Sequence, residues 1–160
     1  MKRSGKVFLI LSVFCIILTL VGCTSKESDV DYGEVDAEFL MTEYADQLIR
    51  DGAETVTGTV EITGSDEDYS VTVNEKKIVP NENYEDGYYI ADKNMSNTYP
   101  LGTDQGILAK EGDEIVIVTT EDFIKNHSGD SETLYTVYLI GGVVELIQPL
   151  DPQAAADADK

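Results

Sequence analysis

The first regular pattern of hydrophobic and polar positions lies between residues 36 and 51. Apolar side chains recur there at helical spacing: Leu40, Tyr44 and Leu48, flanked by Met41, Ala45 and Ile49. Asp36 precedes them as a candidate N-cap, Glu38 places a negative charge in the first turn, and Gly52 ends the pattern. The pattern predicts one amphipathic helix from Asp36 to Asp51, with its apolar stripe packed against a sheet.

After Gly52 the pattern changes to the alternation that is typical of half-buried β-strands. Two segments show it, with Val56, Gly58, Val60 and Ile62 on one face of the first and Tyr69, Val71 and Val73 on one face of the second. The composition of residues 64–68 is typical of a turn, so the two segments are expected to form a β-hairpin. Gly58 is expected to mark a sharp bend where the first strand coils around a small barrel.

The middle of the chain is less regular. Residues 76–83 are polar and contain Pro80, residues 88–91 fit a short strand, and residues 92–104 have the composition of a loop. Regularity returns in residues 114–120, where four consecutive apolar β-branched residues predict a strand that is covered on both faces.

The C-terminal part of the pattern predicts two more strands. They cover residues 134–140 and 143–147, and Gly141-Gly142 between them allows a turn or bulge. Pro149 and Pro152 are expected to end regular structure. Residues 151–160, rich in alanine and aspartate, are expected to form a disordered acidic tail.

One helix followed by about five strands gives an α+β fold with a small curled antiparallel sheet, and the chain length suits a single domain at residues 35–150. This arrangement resembles an oligonucleotide/oligosaccharide-binding (OB) barrel, through Val56–Val60, Gly112–Ile117 and Tyr135–Ile140. The resemblance concerns the fold, because the chain lacks the basic groove of the nucleic-acid-binding members. An open β-sandwich is the alternative architecture.

The N-terminal segment has the layout of an export signal. Lys2, Arg3 and Lys6 give it a basic start, and an apolar run over residues 7–21 leads to Leu20-Val21-Gly22-Cys23. This layout resembles the signal of bacterial lipoproteins, in which a small residue precedes the cysteine that is acylated. By this resemblance, signal peptidase recognises Leu20, Val21 and Gly22, and removal of residues 1–22 leaves acylated Cys23 as the new N-terminus.

An acylated Cys23 would place the protein at a bacterial cell membrane, on the extracytoplasmic face, anchored by acyl chains such as palmitate. A membrane-spanning helix is the alternative, but the 15 residues of the apolar run are short of the roughly 20 that a span requires. Residues 23–34 are small, polar and acidic, which predicts a flexible tether between the anchor and the domain.

Net charge limits the kinds of partner. The chain has 31 acidic and 11 basic residues, and without Lys2, Arg3 and Lys6 its formal charge is −23. Such a charge repels nucleic acid, so the expected partners are the membrane, through the lipid anchor, and a basic protein or small ligand. The simpler interpretation is that the charge keeps an exposed, monomeric surface protein soluble.

Side chains that carry common catalytic or metal chemistry are scarce. His127 is the only histidine, and with Cys15 in the signal and Cys23 acylated the mature chain has no free cysteine. This argues against disulfides, zinc and cysteine catalysis, and no cofactor is expected. Ser128 lies beside His127, but a catalytic triad also needs a third group and a rigid scaffold.

Two acidic segments are weak calcium candidates. Asp66 and Asp68 lie at the predicted hairpin turn, where carboxylates could bind the cation. Asn81, Asn83 and Glu85 occupy alternate positions, as ligands of a calcium loop do, but Asp86 stands where such a loop needs glycine. Solvated turn residues are the simpler interpretation of both segments.

Tyrosines gather in the least regular stretch. Four of the chain's nine lie there: Tyr84, Tyr88, Tyr89 and Tyr99. Tyrosine provides rigid, amphipathic contact area, so these four are a candidate ligand surface for sugar or protein, while packing over the open end of the barrel is the alternative.

From these features together we expect a non-enzymatic binding or accessory module. The alternatives are a cell-envelope hydrolase that uses acidic residues, and a small exclusion or immunity lipoprotein that blocks a membrane system.

The lipoprotein hypothesis predicts that Cys23 is the site of acylation. Cells that express the parent chain or Cys23→Ala are grown with a fatty-acid probe and fractionated. We expect the label and the membrane retention in the parent only, because the thiol of Cys23 forms the bond to the lipid. Equal labelling of both chains would disprove the lipoprotein interpretation.

Overall fold

The fold comes from a computed structural model, which describes residues 36–65 and 68–158. Six strands are present there: β1 Glu54–Ser65, β2 Asp68–Pro80, β3 Tyr88–Glu111, β4 Glu114–Ile117, β5 Tyr135–Ile140 and β6 Val143–Pro149. Helix α1 comprises Ala37–Phe39, a π-helical turn Leu40–Tyr44 and Ala45–Arg50, and it is followed by α2 Thr120–Asn126 and α3 Pro152–Ala158. None of these helices combines the length and the apolarity needed to cross a membrane.

Five of the strands close into a barrel. Strand β1 pairs with β2 and β5, β2 also pairs with β3, and β6 pairs with β5 and β3. The α+β class and the OB-like barrel predicted from sequence are therefore confirmed, and closure excludes the open β-sandwich. One part of the prediction is wrong, because the sheet is mixed: β3 and β6 run parallel. The short β4 lies outside the barrel, beside the end of β3.

The barrel core is formed by the alternating positions that the sequence indicated. Val60 and Ile62 of β1 and Val71 and Val73 of β2 are at most 1% exposed, and each such burial contributes about 2 kcal/mol. Phe123 of α2 enters the same core, so this helix packs against the barrel through an apolar side chain.

Helix α1 matches its prediction closely. Asp36 Oδ1 accepts a hydrogen bond from Phe39 N at 2.7 Å, so Asp36 is the N-cap. Leu40 and Leu48 are buried in a second apolar cluster with side chains of β3, β5 and β6: Leu108, Tyr138 and Leu146. The flanking Ile49 is 50% exposed, so the packed stripe is narrower than the sequence suggested.

The polar middle of the chain is strand rather than loop. Residues 92–104, predicted to be a loop, lie within β3, and β2 continues to Pro80. Their polarity has a structural cause, since much of this sheet surface faces solvent. Beyond Asn74, residues Lys76–Pro80 of β2 pair with Tyr88–Asp92 of β3, and with the loop 81–87 they form a projection that we call the hairpin arm.

The prediction for residues 114–120 is wrong, and a helix that follows was not predicted. Strand β4 ends at Ile117, whose side chain is 45% exposed, so the run of β-branched residues is not covered on both faces. Helix α2 follows and was missed. Thr119 caps it, because Thr119 Oγ1 accepts a hydrogen bond from Asp122 N at 3.1 Å. Threonine followed three residues later by an acid is a sequence signal that could have located this helix.

The C-terminal tail is helical where a disordered segment was predicted. Pro152–Ala158 form α3, and Ala156, which is 1% exposed, packs in a cluster with Ile78 and Leu134. Proline at the first position and alanine inside favour a helix. The low apolar content of the tail gives no sign of this helix, because the burial of one alanine face is enough to attach α3.

Gly58 lies at the corner of the barrel, as predicted from sequence. Strand β1 pairs with β5 up to Gly58 and with β2 from Gly58 onwards. A Cβ atom at position 58 would lie 2.2 Å from the carbonyl oxygen of Asn74. The two backbones approach too closely there for any other residue.

We predict that Gly58→Ala lowers the free energy of unfolding by about 3 kcal/mol, because the new methyl group displaces the backbone of β2. Urea unfolding of the full chain measures the loss. Gly87→Ala is the control. Alanine is unfavourable at position 87 because φ is +74°, but a Cβ atom there would meet no atom within 4 Å. An equal or smaller loss for Gly58→Ala would refute the close-contact explanation.

Candidate functional site

The structure separates the four tyrosines that sequence analysis grouped. Tyr84 and Tyr89 lie on the hairpin arm, 52% and 36% exposed, with their rings stacked at a centroid distance of 5.3 Å. Tyr88 instead packs against the cluster that attaches α3, and Tyr99 packs against the barrel core. Consecutive residues of a strand point to opposite faces, which is why Tyr88 and Tyr89 differ.

The loop that carries Tyr84 is held by its own hydrogen bonds. Asn81 N donates to the carbonyl of Gly87 at 2.7 Å, and Tyr84 N donates to the carbonyl of Asn81 at 3.1 Å. Asn81 Oδ1 accepts from Asn83 N at 3.0 Å. The stacked tyrosines therefore sit on a defined loop.

The calcium candidates are not assembled into a site in the described residues. The side-chain oxygen of Asn81 is used within its loop, as above. Asp68 is paired with Ser65 at the base of the β1–β2 turn, and Asp66 lies outside the described residues. Over residues 36–65 and 68–158, no group of three or more His, Cys, Asp or Glu side chains is placed to hold a metal ion.

Two further large apolar side chains are exposed on β3: Ile90, on the strand face opposite Tyr89, and Met95, beyond the arm. Ile90 is 44% exposed and Met95 is 50% exposed. Met95 lines a groove of about 410 Å³ at the base of the arm, together with polar side chains from three strands: Thr59, Asn74, Lys76, Asp92, Asn94 and Ser96. Lys76 Nζ lies 2.9 Å from Asp92 Oδ2 in this groove. The arm thus offers an apolar surface beside a polar groove, which suits contact with a ligand or partner.

A buried carboxylate, bonded to more exposed partners, lies at the base of the arm. Glu75 is 6% exposed, and its carboxylate forms an ion pair with Lys93 and accepts a hydrogen bond from Asn97 Nδ2 at 2.8 Å. These bonds, first that of Lys93, hold the pKa of Glu75 below its ordinary value, although burial opposes them. The sequence signal for this buried carboxylate is that Glu75 continues the inward alternation of Val71 and Val73.

His127 packs beside Phe123, and Ser128 binds the edge of β1. The His127 ring is 5.7 Å from that of Phe123. Ser128 Oγ accepts a hydrogen bond from Ile62 N at 2.8 Å and lies 3.2 Å from the Ile62 carbonyl, to which it can donate. These bonds occupy part of the β1 edge that β5 does not reach. Nearby, burial raises the pKa of Tyr135 to about 12, with a further contribution from the charge of Asp130.

Comparison of the chain with protein-family models, curated proteins and solved structures finds no match. The predicted acylation site Cys23 and the residues Leu20, Val21 and Gly22 lie outside the described residues. The candidate site therefore rests on the geometry of the hairpin arm, which brings Tyr84 and Tyr89 together and leaves Tyr88 and Tyr99 in packing roles.

We predict that Glu75→Gln destabilises the protein near neutral pH by about 1.5 kcal/mol, because it removes the charge from two hydrogen bonds. A lowered pKa in the folded state means that this contribution is complete above the ordinary pKa and is lost as the pH falls. The difference between parent and variant should therefore shrink below pH 4.5, the ordinary value for this carboxyl group.

The exposed pair Lys76–Asp92 provides the control for this measurement. Asp92 is 60% exposed in its side chain, so Asp92→Asn should change stability little at any pH. Urea unfolding across the acidic pH range tests both variants. A difference between parent and Glu75→Gln that stays constant as the pH falls would contradict the assigned role of the charge.

Proposed function

We propose that this protein is a non-enzymatic binding or accessory module, anchored by lipid at the extracytoplasmic face of a bacterial membrane, which holds its partner through the hairpin arm. The observation that carries the proposal is the exposed, stacked pair Tyr84–Tyr89 on a loop fixed by hydrogen bonds. Rigid aromatic side chains contribute contact area at low entropic cost, which is why they dominate many binding surfaces.

The apolar character of the arm supports this proposal. Tyr84, Tyr89, Ile90 and Met95 all fall within residues 84–95, and each has at least a third of its surface in contact with solvent. Elsewhere in the described chain the large exposed apolar side chains are more scattered: Phe39, Ile49 and Ile117. A concentration of such side chains in one hairpin favours association with a partner.

The membrane location rests on the lipoprotein-like pattern that ends at Cys23. Acylation there would place the domain at the membrane surface, and the predicted tether of residues 23–34 would let the arm reach a partner beside it. An exclusion or immunity lipoprotein is a narrower form of the same proposal, in which the partner is a membrane machine.

The carboxyl groups favour binding over the alternative of a glycan hydrolase. A hydrolase of this type needs a general acid whose pKa is raised, beside a second carboxylate. Four described carboxyl groups have pKa values held below their ordinary range: those of Glu75, Asp92, Glu121 and Asp130. Hydrogen bonds cause each of these shifts, which suits structural carboxylates better than a proton donor.

The proposal predicts that Tyr84→Ala combined with Tyr89→Ala reduces recovery of the natural partner from membranes about tenfold or more, because the contacts of both rings with the bound partner are lost. The acylated chain is cross-linked in its own membranes, recovered and examined for bound proteins. Stability should fall by about 1 kcal/mol, because the stacking of the two rings is lost, and the chain should remain folded.

The matched control is Ile49→Ala, which removes a side chain that is 50% exposed on α1. This variant should recover the same partner as the parent chain. If the double tyrosine variant retains the partner while Ile49→Ala loses it, the binding surface lies on α1 and the proposed role of the arm is wrong.

A further inference from the structure

We propose that the occupant of the hairpin arm is a cationic segment of another protein, in which Lys or Arg residues alternate with apolar ones. This inference rests on the proposed binding function and specifies the partner's chemistry. Two properties of the arm determine it: the exposed surface formed by the stacked rings of Tyr84 and Tyr89, and the charge of the loop that carries Tyr84.

The loop is strongly acidic. Glu82, Glu85 and Asp86 flank Tyr84, all three are exposed, and none forms an ion pair with a described residue. Residues 81–87 contain no Lys or Arg. A partner that covers the tyrosines must approach these carboxylates, so positive charges in the partner would be favourable and negative ones unfavourable.

The positive charges of the arm do not balance the loop. Lys76 is paired with Asp92 at the base of the arm. Lys77 is exposed and lies opposite Ala91, three residues before Pro80 ends β2. The outer end of the arm is therefore acidic, while the tyrosine rings offer π-faces that attract Lys and Arg side chains.

Charge also argues against the other occupants. A second copy would place the carboxylates of two identical loops against each other in a symmetric contact. Anionic lipid would be repelled, because attraction to such lipid needs clustered Lys or Arg. Residues 24–35 of this chain are unsuitable as well, since Glu27, Asp29, Asp31 and Glu34 give them the charge sign of the loop.

The test measures peptide binding to the full acylated chain in a non-ionic detergent. The probe is a fluorescein-labelled peptide in which Lys alternates with Phe, compared with peptides that alternate Glu with Phe or Lys with Ser. Fluorescence anisotropy gives the Kd. All protein variants are measured in the same detergent, so the partition of a given peptide into micelles is equal for every variant. We expect the Lys–Phe peptide to bind the parent at least about tenfold more tightly than either comparison peptide.

Two variants of equal charge separate local from global attraction. Glu82→Gln with Glu85→Gln should weaken binding of the Lys–Phe peptide about fivefold or more, because charges beside the bound peptide are lost. Glu111→Gln with Glu114→Gln removes the same charge from exposed positions at the β3–β4 turn and should change the Kd less than about twofold. Tyr84→Ala with Tyr89→Ala should weaken binding about tenfold.

Equal weakening by the two glutamate pairs would overturn the inference, since binding would then follow net charge alone. Tight binding of the Lys–Ser peptide would overturn its apolar component. A parent chain that sediments as a dimer, converted to a monomer by the tyrosine substitutions, would assign the arm to a second copy. If membranes yield a partner through Tyr84 and Tyr89 while the Lys–Phe peptide fails to bind, the binding function stands and the cationic chemistry is wrong.

Discussion

The close approach of β1 and β2 at Gly58 is the constraint on which the rest of the structure depends. Strand β1 must pair with β5 over its first part and with β2 over its second, and the change of partner happens at one residue. Once β1 has turned towards β5, the last part of β2 has no pairing with β1. That part pairs with β3 alone, and the hairpin arm is the direct result.

Glu75 occupies the point where the two strands separate. It is the last residue of β2 that pairs with β1, and its carboxylate is buried. A buried carboxylate is costly unless it is fully bonded. Lys93 and Asn97 satisfy it. Lys93 comes from the irregular part of β3 where the register with β2 shifts, and Asn97 from the regular ladder opposite Val73. The ion pair therefore ties the base of the arm to the barrel.

The arm combines exposed aromatic side chains with a high negative charge, and the charge offsets the tendency of the exposed rings to aggregate. Exposed apolar side chains promote aggregation, whereas a high net charge opposes it. In this chain the stacked tyrosines and the acidic loop lie within the same few residues. A surface of this kind remains soluble alone and becomes favourable to bury when a partner of opposite charge covers it, which is the behaviour expected of a reversible binding module.

Local pattern in the sequence was sufficient to predict helix α1 and its cap, the β1–β2 hairpin, the bend at Gly58 and the pair of strands joined at Gly141-Gly142. Each depends on residues close together in the chain, where alternation, capping and turn chemistry act directly. The same kind of evidence singled out four tyrosines but left open whether they form a surface or pack, and the structure exposes Tyr84 and Tyr89 while Tyr88 and Tyr99 pack. The local pattern also contained the signal of α2, in Thr119 and Asp122, which was overlooked.

Only the tertiary structure decided which strands meet. The parallel pairing of β3 with β6 closes the barrel, yet backbone hydrogen bonds carry no sequence signature that names the partner. The polar composition of residues 92–104 and of the C-terminal tail likewise gave no sign that β3 is long or that α3 is attached. For the tyrosines, exposure was settled by what covers each face of the hairpin: α3 lies near Tyr88, while the ring stacked on Tyr89 is that of the exposed Tyr84. Sequence determines which side chains can bind, and long-range packing determines which of them remain available to do so.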